Sequence, residues 1–192
     1  MCEKATSHLF KVSTREIVVH SIDSHSATRA ALSIGDKDTS YLEVEWIDGK
    51  TAPSIRFGDQ DEYERQLIRD LYSKKFPTRI ALINFCVARN KNNFLDLRGL
   101  TSAEGLVLPE SVGGSLDLRG LTSADGLVLP KIVGGYLELS GLTSAEGLVL
   151  PKIVGGSLYL RGLTSAKGLV LPESFSGYLE LSENVRKELE NR

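Results

Sequence analysis

Leu129–Pro151 reads LPKIVGGYLELSGLTSAEGLVLP, and nearly the same letters recur one step earlier and one step later along the chain. Segments beginning at Leu95, Leu116, Leu137 and Leu158 repeat almost letter for letter, and Leu179 opens a fifth that stops early. The step is 21 residues each time, the mark of a solenoid or a stacked array. The unit is L-x-L-x-G-L-T-S-A-x-G-L-V-L-P-x-x-V-G-G-x, with Phe175 and Ser176 as substitutions in the last copy. Four complete units span 95–178.

The letters of one unit dictate its shape. Leu116 and Leu118 alternate with Ser115, Asp117 and Arg119, the period-2 pattern of a strand with one face buried and one wet. Gly120 ends that strand, and Thr122–Gly126 is turn-like, with hydroxyls available to local backbone groups. Leu127-Val128-Leu129 reads as a second short extended piece, Pro130 bends the chain, and Gly134-Gly135 closes the coil. A lone coil does not fold: burial returns roughly 2 kcal/mol for each of its few apolar side chains. Ordering costs roughly 1.5 kcal/mol for every residue. Stacking shares the apolar faces and makes each L-x-L a rung of a parallel sheet at about 4.8 Å per coil.

The LxL strand and LP step of Leu129–Pro151 resemble the short leucine-rich repeats of bacterial effectors and of phage or prophage proteins, over residues 94–181. The resemblance implies a bacterial or phage origin and roles from host-targeting effector to inhibitor of bacterial defence systems. The sequence departs from that family where Asn or Cys usually bonds the loop backbone, since Leu100, Leu121, Leu142 and Leu163 hold that place. Thr101, Thr122, Thr143 and Thr164 are candidates to supply the ladder one residue later. A tight two-sided β-solenoid without horseshoe curvature is the alternative.

Residues 183–192 follow with ENVRKELE, a short helix with Val185 and Leu189 on one face and Ser182 as N-cap, expected to cover the last coil. Residues 1–93 have no repeat and hold all three histidines, the single Trp and both cysteines. Arg15–Asp23, Thr28–Ile34 and Tyr41–Ile47 read as strands, and Asp48-Gly49 as a hairpin leading to Ser54–Phe57. Asp59 or Asp61 caps a helix through about Lys75, with Tyr63, Leu67, Ile68, Leu71 and Tyr72 as one apolar stripe, and Pro77 stops it. Arg79–Val87, RIALINFCV, reads as a buried strand. The predicted architecture is a small α+β domain (1–93) that also caps the amino-terminal end, a parallel leucine-rich-repeat-like solenoid (94–182) and a capping helix (183–192).

The chemistry-bearing letters are sparse. His20, Asp23 and His25 form H-x-x-D-x-H, a weak zinc candidate that needs a turn between the histidines, because a strand points them to opposite faces. Cys86 lies in an apolar run and reads as a small core residue rather than a nucleophile. Walker and dinucleotide patterns are absent, and Gly113-Gly114 recurs as a coil closure. No cofactor is expected, and two cysteines give no disulfide framework.

Charge narrows the partners. Lys and Arg number 23 against 25 Asp and Glu, and residues 94–182 hold six basic and nine acidic side chains, which disfavours a groove tracking phosphates. The longest apolar runs are too short to span a membrane. The first residues lack a signal-peptide pattern, so a cytoplasmic setting is expected.

Variation concentrates on the outward letters of the LxL strands, where a binding surface can change without harming the stack. The first column is Phe94, Ser115, Tyr136, Ser157 and Tyr178; the middle one is Asp96, Asp117, Glu138, Tyr159 and Glu180. Arg98, Arg119, Ser140, Arg161 and Ser182 form the third. Aromatic and Arg side chains are favoured interface anchors. Tyr136, Glu138, Tyr159, Arg161, Tyr178, Asp117, Arg119, Asp96 and Arg98 are therefore the expected partner-binding residues. The functional expectation is a non-enzymatic inhibitor that binds and sterically blocks another protein, a nucleic-acid-binding one among the candidates, through the amino-terminal domain and the exposed solenoid sheet, as a monomer or weak dimer. The rival is an enzyme with its site in residues 1–93 and the repeats recruiting substrate.

Overall fold

In each coil the LxL letters form one rung of a parallel sheet. The computed structural model describes residues 5–11, 16–18, 41–47, 50–56, 61–89 and 94–191. The rungs are β5 (Leu95–Asp96), β7 (Leu116–Asp117), β9 (Leu137–Glu138), β11 (Leu158–Leu160) and β13 (Leu179–Leu181), paired in that order. Register follows the period: Leu95, Leu116, Leu137, Leu158 and Leu179 stand side by side, as do Asp96, Asp117 and Glu138. A second parallel sheet runs along the stack, from β6 (Ser111–Val112) through β8 (Ile132–Val133) and β10 (Ile153–Val154) to β12 (Ser174–Phe175).

The second sheet does not coincide with the expected extended piece. Leu127–Leu129 carries no ladder, and the pairing residues come after Pro130, which cannot donate to a ladder and so marks the approach to the rung rather than its end. The solenoid is two-sided. Between the sheets, Leu116, Leu118, Leu121, Ala124, Leu127 and Val133 of one coil are all buried, and the equivalent residues of the next coil lie beside them.

Each turn has a local cause. The N–H of Leu121 bonds the Leu118 carbonyl at 3.0 Å, and Leu100, Leu142 and Leu163 repeat the contact. The Leu at the place of the family's Asn is thus a core residue whose backbone closes the turn. The Ser of the T-S-A bend accepts the N–H two residues on, as in Ser144 with Glu146 at 3.1 Å. The threonine ladder is present between Thr143 and Thr164, whose hydroxyl donates to the Thr143 carbonyl at 3.1 Å. Gly141 is dictated by the neighbouring coil, because a Cβ there would overlap the backbone oxygens of Arg119 and Leu121.

The last coil is covered by α3 (Glu183–Glu190). Ser182 stands at its N-cap but makes no cap bond; its hydroxyl donates instead to the Leu163 carbonyl at 2.9 Å, tying the helix to the stack. Val185 is buried, and the Glu188 carboxylate accepts from the Ser165 hydroxyl at 2.9 Å and the Ala166 N–H at 2.7 Å. A Glu188→Ala variant should fray this end first. Amide exchange at Ala166 should accelerate at least tenfold while the amides of Leu116 and Leu118 keep wild-type protection, and equal acceleration at all three would contradict a local clamp.

The chain divides into two compact units, residues 1–91 and 92–192. The first holds an antiparallel sheet in the order β2 (Glu16–Val18), β1 (Ala5–Lys11), β3 (Tyr41–Ile47), β4 (Ser54–Arg56). β1 and β3 pair from Ala5 with Ile47 to Lys11 with Tyr41. Leu42, Val44 and Trp46 are buried on one face of β3, and Glu43 and Glu45 on the other. Thr28–Ile34 and Asp48-Gly49 lie outside the described residues.

Helix α1 (Glu62–Lys75) begins at Asp61, whose carboxylate accepts the Glu64 N–H at 2.8 Å. Of its expected apolar stripe only Ile68 and Tyr72 are buried, while Tyr63 remains 78% exposed. Arg79–Val87, expected as a strand, is helix α2. Thr78 caps it by accepting the Ala81 N–H at 3.3 Å, and Leu82, Ile83, Cys86 and Val87 are buried, a spacing that matches one helix face. A run that is apolar apart from Arg79 and Asn84 does not reveal its period, and the Thr78 cap is the local sign of a helix. Phe76 joins the two helices, its ring 6.0 Å from Tyr72 and 5.0 Å from Phe85.

Candidate functional site

The outward letters of the LxL sheet lie on one continuous face, because residues two apart on a strand point the same way and the coils stack in register. Tyr136, Glu138, Tyr159, Arg161, Tyr178, Asp117, Arg119, Asp96 and Arg98 are all brought together there. Their environments differ more than the sequence pattern implies. The alternation puts Asp96 and Asp117 on a wet face, yet Asp96 is 4% exposed and Asp117 is fully buried.

Arginine buries them. Arg98 Nε and Nη2 donate to the two carboxylate oxygens of Asp96 at 2.8 and 2.7 Å. Arg119 does the same to Asp117 at 2.9 and 2.6 Å, and its backbone N–H adds a bond at 3.2 Å. Such a fork-to-carboxylate pair is the strong, oriented form of an ion pair. The bond to Asp96 pushes the Arg98 guanidinium above its ordinary range, and the bond to Asp117 does so for Arg119. In the fourth coil the middle residue is Tyr159, and Arg161 pairs forward with Glu180.

The first column alternates aromatic and small. Ser115 Oγ accepts the Tyr136 N–H at 3.0 Å and Ser157 Oγ accepts the Tyr178 N–H at 3.0 Å, so every second coil leaves space above a serine. Phe94 and Tyr136, two coils apart, lean over Ser115 until their ring centres are 6.0 Å apart. Tyr136 meets Tyr159 edge to face at 6.0 Å. Partial burial, and then the Asp117 charge, raise the Tyr136 phenol above its usual range, so it stays a donor at neutral pH. Tyr178 stands 82% exposed at the far end. Phe94 falls outside the expected binding set, although its place in the first column marks it as part of this ladder.

Other candidate chemistry is absent from the described residues or occupied. His20, Asp23 and His25 lie outside them, and among the described residues no group of three or more His, Cys, Asp or Glu gathers as metal ligands. Cys86 is buried, and burial raises its thiol well above the ordinary cysteine range, as suits an unreactive core residue. A depression of about 280 Å³ on the bend side is lined by Thr143, Ser144, Glu146, Gly147, Thr164, Ser165, Lys167 and Gly168. Ser144 Oγ accepts the Glu146 N–H, and Ser165 Oγ accepts the Lys167 N–H while donating to Glu188. Among the described residues no helix is long and apolar enough to cross a membrane.

No family model, curated protein or solved structure matches this chain.

Proposed function

We propose that this protein is a non-enzymatic binding protein that occupies and sterically blocks a partner protein through the outward face of its LxL sheet. The observation that carries the reading is a division of labour within each coil. The repeated letters are spent mainly on core and turns, apart from one exposed valine per coil (Val107, Val128, Val149 and Val170), whereas the varying letters Phe94, Tyr136, Tyr159, Tyr178, Glu138 and Arg161 form one outward surface. Rings and guanidinium groups held in fixed positions offer contact area at small entropic cost. The excess of acid over base in the solenoid favours a protein partner over nucleic acid.

Within this reading the two-sided solenoid, joined to a small α+β module, acts in the cytoplasm as a bacterial or phage inhibitor of the host-targeting or anti-defence kind, the role that its resemblance to short bacterial leucine-rich repeats implies. Burial of Cys86, which pushes its thiol up, supports a core role for that residue over a nucleophilic one. The test is capture from bacterial lysate by wild type and by a Tyr136→Ala, Tyr159→Ala, Arg161→Ala variant of unchanged circular dichroism. A stoichiometric partner retained by wild type and lost by the variant is the expected result. Equal capture by both would move the binding surface off this sheet.

A further inference from the structure

The arginine column is interrupted at Ser140 and ends at Ser182. Arg98 and Arg119 close onto the carboxylates two residues before them, and Arg161 closes onto Glu180. In the third coil Ser140 stands where the first, second and fourth carry arginine. The Glu138 carboxylate accepts the Ser140 N–H at 3.0 Å, and among the described residues no Lys or Arg forms an ion pair with it. Arg119 and Arg161 feel its charge from the flanking coils, but each guanidinium is engaged elsewhere.

The neighbours of that carboxylate are aromatic. Tyr159 stands directly beside Glu138 in register, and Tyr136 lies two residues before it on the same face of the strand. Their rings touch edge to face. Tyr136, Glu138, Ser140 and Tyr159 are all half-buried, which lowers the screening of any charge placed among them.

We propose that this gap is a guanidinium slot: an arginine of the partner protein lies against Tyr136 and Tyr159 and pairs with Glu138, completing the column that Ser140 interrupts. The inference rests on the reading of this face as the binding surface. Two observations select the occupant. A carboxylate without an ion-pair partner among the described residues favours a cation, and the same sheet twice shows a planar fork held by a carboxylate in this column, at Arg98 and Arg119. An ammonium is a compact, strongly hydrated charge that matches neither the bidentate geometry nor the stacking on a ring face.

The test uses the full chain labelled with 15N and titrated with N-acetyl-arginine amide, N-acetyl-lysine amide serving as the comparison. Saturable shifts confined to the amides of 136–141 and 159–161 are expected, with the lysine compound at least threefold weaker. Glu138→Gln should weaken arginine binding at least tenfold. Ser140→Arg should abolish it by filling the slot from within, and Glu138→Gln keeps the test decisive if that variant folds poorly. Equal response to both compounds, shifts spread over the whole face, or indifference to both substitutions would overturn the assignment. The two readings separate in the capture experiment. If the triple variant loses the partner while Ser140→Arg retains it, the face binds but the slot is wrong; if neither loses it, the face itself is wrong.

Discussion

A Gly141→Ala variant should cost about 4 kcal/mol, at the upper end of what single substitutions do. Gly141 follows the third rung, and a new Cβ would meet the Arg119 and Leu121 carbonyl oxygens of the coil before it. Both obstacles are backbone atoms fixed in ladders and turns, so neither can swing aside as a long side chain would. Relief requires the second and third coils to separate, and coils are stable only through their neighbours. The internal control is Gly147, with φ 75° and open space for 4 Å around the place a Cβ would take. There alanine meets only the left-handed backbone penalty, about 1–2 kcal/mol. Urea unfolding followed by far-ultraviolet circular dichroism measures both. Equal losses would mean that close approach between coils is not what demands the glycine.

Arg119→Ala is expected to cost about 3 kcal/mol, because it strands a fully buried carboxylate. Asp117 would keep the backbone N–H of residue 119 and lose all three guanidinium bonds. The deficit should follow the charge, because what is left behind is a buried carboxylate without its ion-pair partner. Adding Asp117→Asn should recover most of the loss at pH 7. Arg161→Ala, whose partner Glu180 is one-third exposed, should cost under about 1 kcal/mol. If the Arg119 and Arg161 variants lost the same stability, burial of Asp117 would not be the controlling term.

How far the letters reveal the molecule depends on how local the cause is. The stack is visible because its period is written in the chain: Leu95, Leu116, Leu137, Leu158 and Leu179 pair as the repeat requires. The cap at Asp61 and the strand at Tyr41–Ile47 are legible for the same reason, each resting on residues within one element. The helix at Arg79–Val87 is not, because every turn of it is apolar and the decisive bond comes from Thr78, outside the run. The second sheet lies a few residues beyond its expected place since Leu127–Leu129 and Ile132–Val133 are equally extended in pattern, and only coil-on-coil pairing separates them. On the candidate face, the columns can be listed from sequence, but the burial of Asp96 and Asp117 cannot. Alternation places a side chain on a face and says nothing of a guanidinium folding down on top of it.

The alternation of aromatic residues and serine along the first column sets two different clocks on one molecule. The backbone returns to the same state after one coil, whereas Phe94, Ser115, Tyr136, Ser157 and Tyr178 return only after two. Length can therefore change without strain by any whole number of coils, yet the ring ladder keeps phase only when that number is even. A single added coil would set ring against ring or serine against serine at the junction. Parity, invisible to the core, is then a property on which the surface alone can be selected.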